Sequence, residues 1–166
     1  MTPTEPLADD VADDKVRRVV EAGRERGIAV EPVTFPEETR TAADAARAVG
    51  CDVAQIVKSL VFTAGLSPIL LLVSGANRVD VTVAASAAGV DGLTRADADL
   101  AKRATGFSIG ATPPVGLAND LPVLMDEDLL RHDVVWAAAG RPDAVFAVEP
   151  SALARASGAK VCRLTS

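Results

Sequence analysis

Apolar positions along this 166-residue chain follow two periods, and the switches between them mark out the elements. Within residues 11–26, Val16, Val19 and Val20 form an apolar stripe at helical spacing, and Gly27 supplies a stop. Residues 28–35 read as a strand interrupted by Pro32. Beyond Pro36, Thr41 stands where an N-cap belongs, and Ala45, Ala46 and Val49 carry a second helix to Gly50. A long apolar run at 52–63 and a second at 69–73 flank a Gly65-Leu66-Ser67-Pro68 turn, which predicts a hairpin. A short helix is expected from Asp80 to Gly89, a short strand at 93–95, and another helix from Asp97 to Thr105 with Gly106 at its end. Strands at 121–125, 134–139, 144–148 and 160–164 complete the pattern, with short helices at 126–131 and 151–157. No repeat and no long linker divides the chain. The expected architecture is one α+β domain over residues 11–166, a mixed, mostly antiparallel, curved and barrel-like sheet flanked by helices, behind a flexible N-terminus at 1–10.

One strand breaks its own pattern. Alternate residues of a strand share a face. In residues 52–63 one face carries Ala54, Ile56, Lys58, Leu60 and Phe62, and the other Val53, Gln55, Val57, Ser59, Val61 and Thr63. The first face is apolar except for the lysine at its centre. An ammonium in an apolar layer is costly without a partner or a wet cavity, so Lys58 either snorkels at an edge or lines a site.

A second unusual stretch is Gly106-Phe107-Ser108-Ile109-Gly110-Ala111-Thr112-Pro113-Pro114-Val115-Gly116. Three Gly and two Pro in eleven residues mark a loop of constrained backbone. Proline carries no N–H, which leaves the donors of Gly110, Ala111 and Thr112 to face a ligand. The spacing is not that of a phosphate-binding glycine loop. A rigid turn between strands explains the same composition.

Composition narrows the chemistry. Hydrophobic residues make up 49% and charged residues 24% of the chain, as in a soluble globular protein. No apolar run approaches a membrane span, and the acidic N-terminus lacks a signal pattern, so a cytoplasmic home is expected. The net charge of −6 argues against broad, non-specific nucleic-acid binding but allows a local basic patch, such as Arg17, Arg18 and Arg24 of the first helix. Cys51 and Cys162 are too few and too far apart for a metal or redox motif. His132 is the single histidine, between Arg131 and Asp133, and reads as a surface residue rather than a triad member. Asp126, Glu127 and Asp128 are acids at a helix start, common for electrostatic reasons alone.

Three segments taken together resemble a known family. They are Gln55-Ile56-Val57-Lys58-Ser59-Leu60-Val61-Phe62, then Leu71-Leu72-Val73-Ser74-Gly75-Ala76-Asn77-Arg78-Val79-Asp80, then the 105–116 loop with its Gly-x-x-x-Pro spacing from Gly110 to Pro114. With Val135-Trp136-Ala137-Ala138-Ala139-Gly140, they resemble the YbaK/ProX aminoacyl-tRNA deacylases, relatives of the editing insertion domain of bacterial prolyl-tRNA synthetase. The likeness runs in order from about Val30 to Leu164. It implies a YbaK-like fold that acts in trans without cofactor or metal. The implied reaction hydrolyses the ester of a mischarged small amino acid, of the Cys or Ala class, on proline tRNA. By the same resemblance Lys58 and the Gly110, Ala111 and Thr112 backbone are the catalytic groups. Ser74, Gly75, Asn77, Gly106, Pro113, Pro114 and Ala138 are the implied substrate contacts. The implied partners are the acceptor end of an aminoacyl-tRNA and, second, prolyl-tRNA synthetase, for a monomer or homodimer away from membranes. This chain has Gly110-Ala111 where relatives often have Gly-Gly, and Ala111 is expected to narrow the pocket. Apolar residues stand at Ala138 and Val145 where some relatives carry small polar ones.

Two other functions fit the same residues. One is a non-catalytic module that binds aminoacyl-tRNA or a synthetase. The other is hydrolysis of a small ester or amide unrelated to tRNA.

Overall fold

A computed structural model describes residues 14–35 and 41–166, so the expectation of a flexible 1–10 segment lies outside the described residues. The helices are α1 (Asp14–Glu25), α2 (Ala42–Val49), α3 (Val81–Ala88), α4 (Ala98–Thr105) and α5 (Pro150–Ser157). The strands are β1 (Val33–Thr34), β2 (Val57–Ala64), β3 (Ser67–Ser74), β4 (Thr94–Arg95), β5 (Val123–Asp126), β6 (Val135–Ala138), β7 (Ala144–Val148) and β8 (Lys160–Cys162).

Local chemistry sets the helix ends. The Thr41 hydroxyl accepts from the Asp44 N–H at 3.1 Å, Asp80 accepts from Thr82 and Val83, and Asp97 accepts from Leu100. Each satisfies a donor that the first turn leaves unpaired. Glycines 50, 89, 106 and 158 close their helices in the left-handed conformation.

The expected strand at 52–63 starts late. Asp52 and Gln55 form a reciprocal capping box that winds Val53–Gln55 into a 3-10 turn, and extended pairing begins only at Val57. Side-chain hydrogen bonds within four residues outcompete the apolar run there. The 28–35 strand shrinks likewise to β1 beyond Pro32.

The strands form two sheets, one ordered β4-β2-β3-β5-β8 and one ordered β1-β7-β6. β2 and β3 pair antiparallel through the two-residue Gly65-Leu66 turn, with Lys58 opposite Val73; β5 joins β3 and β8 joins β5 in parallel. The first sheet is thus mixed and the second antiparallel. Rather than closing into one barrel, among the described residues they meet at one bridge between Ile56 and Trp136.

The main core lies on the Val57/Val61 side of β2, where Leu70, Leu72, Phe107, Met125, Leu129 and Phe146 pack. A smaller core on the Lys58 side joins Phe62, Ile69, Leu71, Val73, Ala84, Leu124 and Leu164. Both faces are covered, so the central strands are apolar on both, as sheets with parallel members tend to be. Phe107 is 0% exposed and anchors the start of the 106–116 loop in the main core, with the Arg18 guanidinium 6.0 Å above its ring. Phe107→Ala should therefore cost about 3–5 kcal/mol in urea unfolding, the range for emptying a buried aromatic site.

Candidate active site

The free edge of β2 makes the site. β4 pairs only with Phe62 and Thr63, which leaves the 57–60 edge without a ladder partner among the described residues. Here the two sheets part, and a cavity of about 290 Å³ opens between β2, α2, β6 and the 106–116 loop. Its apolar wall comprises Ala45, Ile56, Trp136, Ala138 and Val145, and its rim carries Lys58, Ser59, Gly110 and Thr112. A neighbouring cleft of about 590 Å³ lies beyond Lys58, lined by Leu60, Phe62, Gly75, Asn77, Arg78 and Arg95. Lys58 and Leu60 line both and stand where the two cavities adjoin.

Lys58 is half-buried, and its Nζ donates to the Asn77 carbonyl at 2.5 Å. Burial pulls the pKa of its ammonium below the usual lysine value; Arg95 and Arg78 push the same way, and Asp126 opposes them. The three cations line one cleft, and among the described residues neither arginine pairs with a carboxylate. Arg95 instead lies 5.7 Å over the Phe62 ring.

The 106–116 loop is held at both ends and turned at its tip. Phe107 and Val115 are core residues, and the Thr105 hydroxyl accepts from the Phe107 N–H at 3.1 Å. The tip is a tight turn, with the Ala111 N–H donating to the Ser108 carbonyl at 3.0 Å. Gly110 takes φ +87° at the third position of that turn, the conformation of a type II turn, which favours glycine. Ala111 therefore does not offer the free donor expected of it. Nor does it narrow the cavity: it is buried away from the lining, toward the core. The Gly110 and Thr112 N–H groups find no acceptor among the described residues, and both residues line the cavity.

The other sequence-predicted residues divide by place. Ala138 lines the first cavity, and Gly75 and Asn77 line the cleft. Ser74 is buried and braces the loop, its hydroxyl donating to the Ala54 carbonyl at 2.8 Å. Gly106, Pro113 and Pro114 line neither cavity: Gly106 caps α4 against Ala118, and the prolines are buried within the loop. His132 lines neither cavity. The Cys51 thiol donates to the Asp52 carbonyl, and burial raises its pKa, as it raises that of Cys162. Both thiols are thus less reactive than an exposed cysteine.

Sequence reasoning missed four contributors. Trp136 and Ile109 enter the lining from distant segments. Ser59 lines the cavity, and its Oγ is buried without a hydrogen-bond partner, a cost to stability at this position. Asp126 is 1% exposed and grips the 74–77 loop from β5.

The comparisons with known proteins point one way. The family model described as the aminoacyl-tRNA editing domain matches residues 36–156. A proline–tRNA ligase of Limosilactobacillus fermentum is 32% identical over 94 residues, which are 54% of this chain and 16% of that ligase. The chain thus spans about a sixth of that enzyme's length. An uncharacterised protein of Bacillus subtilis, YwhH, is 29% identical over 128 residues, covering 76% of this chain and 81% of that one. Among solved structures, a candidate trans-editing enzyme for prolyl tRNA synthetase superposes with a TM-score of 0.86 at 44% identity, over 92% of this chain and 98% of the other.

Two substitutions separate scaffold from chemistry. A Cβ on Gly75 would sit 2.4 Å from the Val53 carbonyl and 2.9 Å from the Ala42 Cβ, so Gly75→Ala should cost about 1–3 kcal/mol in urea unfolding. Lys58 gives the opposite sign. Its folded-state pKa lies below the unfolded value, so the folded ammonium opposes stability below the folded pKa, and that cost fades as pH rises toward the unfolded value. Lys58→Met should melt at or above the wild-type temperature at neutral pH, by calorimetry, and the gap should close at alkaline pH.

Proposed function

The chain belongs to the aminoacyl-tRNA editing domain family, and from that premise we propose that it is a trans-acting deacylase. It hydrolyses the ester that joins a mischarged small amino acid to the terminal adenosine of proline tRNA. The observation that carries the reading is the position of Lys58, between an apolar cavity rimmed by two unpaired backbone donors and a cleft lined by cations.

Each part matches a need of the reaction. An aminoacyl ester is already activated, so a positioned water and donors for the developing oxyanion suffice without a protein nucleophile. The Gly110 and Thr112 N–H groups serve as those donors. Water adds to the carbonyl, the carbon–oxygen bond to the ribose breaks, and the ribose oxygen leaves with a proton, giving free amino acid and intact tRNA. The apolar wall of Ala45, Ile56, Trp136, Ala138 and Val145 suits a Cys or Ala side chain. A hydrophobic pocket separates such near-isosteres by only about 1–3 kcal/mol, so both are expected substrates with a modest preference. Lys58, Arg78 and Arg95 hold the phosphates at the acceptor end. Prolyl-tRNA synthetase is the expected source of the mischarged tRNA and a second partner.

A deacylation panel with proline tRNA charged with Ala, Cys, Ser, Thr or Pro tests this. Turnover of the Ala or Cys ester, with Pro spared, is expected, and Lys58→Ala should slow it by about 100-fold. Wild-type activity in Lys58→Ala would remove the lysine's role. Tight tRNA binding with no turnover of any ester would make the protein a binding module instead.

A further inference from the structure

We propose that Asp126 is a positioning residue for this site: its buried carboxylate grips the 74–77 loop, so that the Asn77 carbonyl fixes the Lys58 ammonium where the two cavities adjoin. The inference rests on the deacylase reading for its effect on rate, but its geometry stands without it.

The contacts form one chain. Asp126 closes β5 at 1% exposure. Its Oδ2 accepts from the Ser74 N–H at 3.1 Å and from the Asn77 Nδ2 at 2.8 Å, and its Oδ1 accepts from the Asp128 N–H at 3.0 Å. The second hydrogen of the Asn77 amide goes to Asp128 Oδ2 at 2.8 Å. With both hydrogens spent, the Asn77 side chain has one orientation. The Asn77 N–H donates to the Ser74 carbonyl at 2.9 Å and the Gly75 N–H to the Ile56 carbonyl at 2.7 Å. The loop is thereby fixed on both sides, and its outward carbonyl at Asn77 receives Lys58.

Capping alone does not account for this arrangement. The 3-10 turn that follows β5 needs one acceptor, and Oδ1 supplies it. Oδ2 is spent wholly on the loop. A neutral acceptor would fill that role at a lower desolvation cost, since a buried carboxylate held only by N–H groups is expensive. The negative charge has a use one step further on. The charged groups acting on Lys58 are Arg95 from β4, Arg78 from the loop and Asp126 from β5, and only Asp126 favours the ammonium. The other acids near Asp126 are Glu127 and Asp128 on the 3-10 turn, and Cys162 faces it from β8. Asp126 thus fixes where Lys58 sits and helps keep it charged beside two arginines.

Asp126→Asn keeps the shape, removes the charge and turns one acceptor into a donor facing other donors. The test reads two quantities. The first is the titration of the Lys58 side chain, followed by NMR of isotope-labelled lysine and identified by its loss in Lys58→Met. Its midpoint should fall in Asp126→Asn relative to wild type. The second is deacylation corrected for spontaneous hydrolysis. It should drop by about 10- to 100-fold, as small misplacements of a catalytic group do, with the alkaline limb of the profile moved to lower pH. A purely structural role would lower the melting temperature without moving either the midpoint or that limb. Asn77→Ala guards against a variant that does not fold: it removes only the half-exposed amide that Asp126 and Asp128 hold and should lower the rate by a similar factor. The double variant should lose no more than the worse single one. An unmoved Lys58 midpoint in folded Asp126→Asn, or a wild-type rate in Asn77→Ala, overturns the proposal. Should the wild-type protein hydrolyse none of the charged tRNAs, the deacylase reading fails and the midpoint still decides this one.

Discussion

Holding an ammonium against an apolar sheet is the constraint to which the rest of the site answers. Lys58 lies on the face of β2 that also carries Leu60 and Phe62, opposite Val73 of β3. Burial and two arginines disfavour its charge. The structure answers in three ways. The 57–60 edge stays unpaired, which opens a cavity beside the lysine. The 74–77 loop presents a carbonyl to it. A carboxylate beneath that loop supplies the opposing field. Each has a cost of its own, in an unpaired edge, a glycine without room for a methyl group, and a buried negative charge. Such concessions gather where function rather than stability sets the local structure.

The fold was largely legible because its punctuation is local. Thr41, Asp80 and Asp97 begin helices, and glycines 50, 89, 106 and 158 end them, each by a hydrogen bond or a backbone conformation reaching no more than a turn. The hairpin of β2 and β3 was readable for the same reason. The errors are local as well. The capping box of Asp52 and Gln55 was hidden inside an apolar run and delayed β2 by five residues relative to the pattern. Periodicity does not reveal how strands divide between sheets, so one curved sheet was expected where two meet at Ile56 and Trp136.

The candidate site was legible only in its chemically odd members. Lys58 stood out as a charge on an apolar face, and the 106–116 loop by its glycines and prolines; the structure brings Lys58, Gly110, Thr112 and Ala138 to one cavity. Neighbours within the loop carried no such mark. Ala111, Pro113 and Pro114 share its composition yet pack inward to hold the tip. Asp126 was readable only as a helix-start acid, because its partners at Ser74 and Asn77 lie about fifty residues away and become neighbours only through the parallel pairing of β3 and β5. Long-range pairing of that kind leaves no trace in spacing.

Charge ties these features to the proposed function. A protein with a net charge of −6 repels the phosphates of a tRNA over most of its surface. Lys58, Arg78 and Arg95 gather three positive charges in one cleft beside the apolar cavity. Attraction is therefore local, and favours the flexible acceptor end over the body of the tRNA. Few phosphate contacts mean modest affinity and rapid release. For an editing domain acting in trans those are useful properties, since most charged tRNAs it meets carry the correct amino acid and must leave unhydrolysed. In the proposed reaction, discrimination falls to the apolar wall and the two backbone donors, where binding energy counts only if the ester fits well enough to reach the transition state.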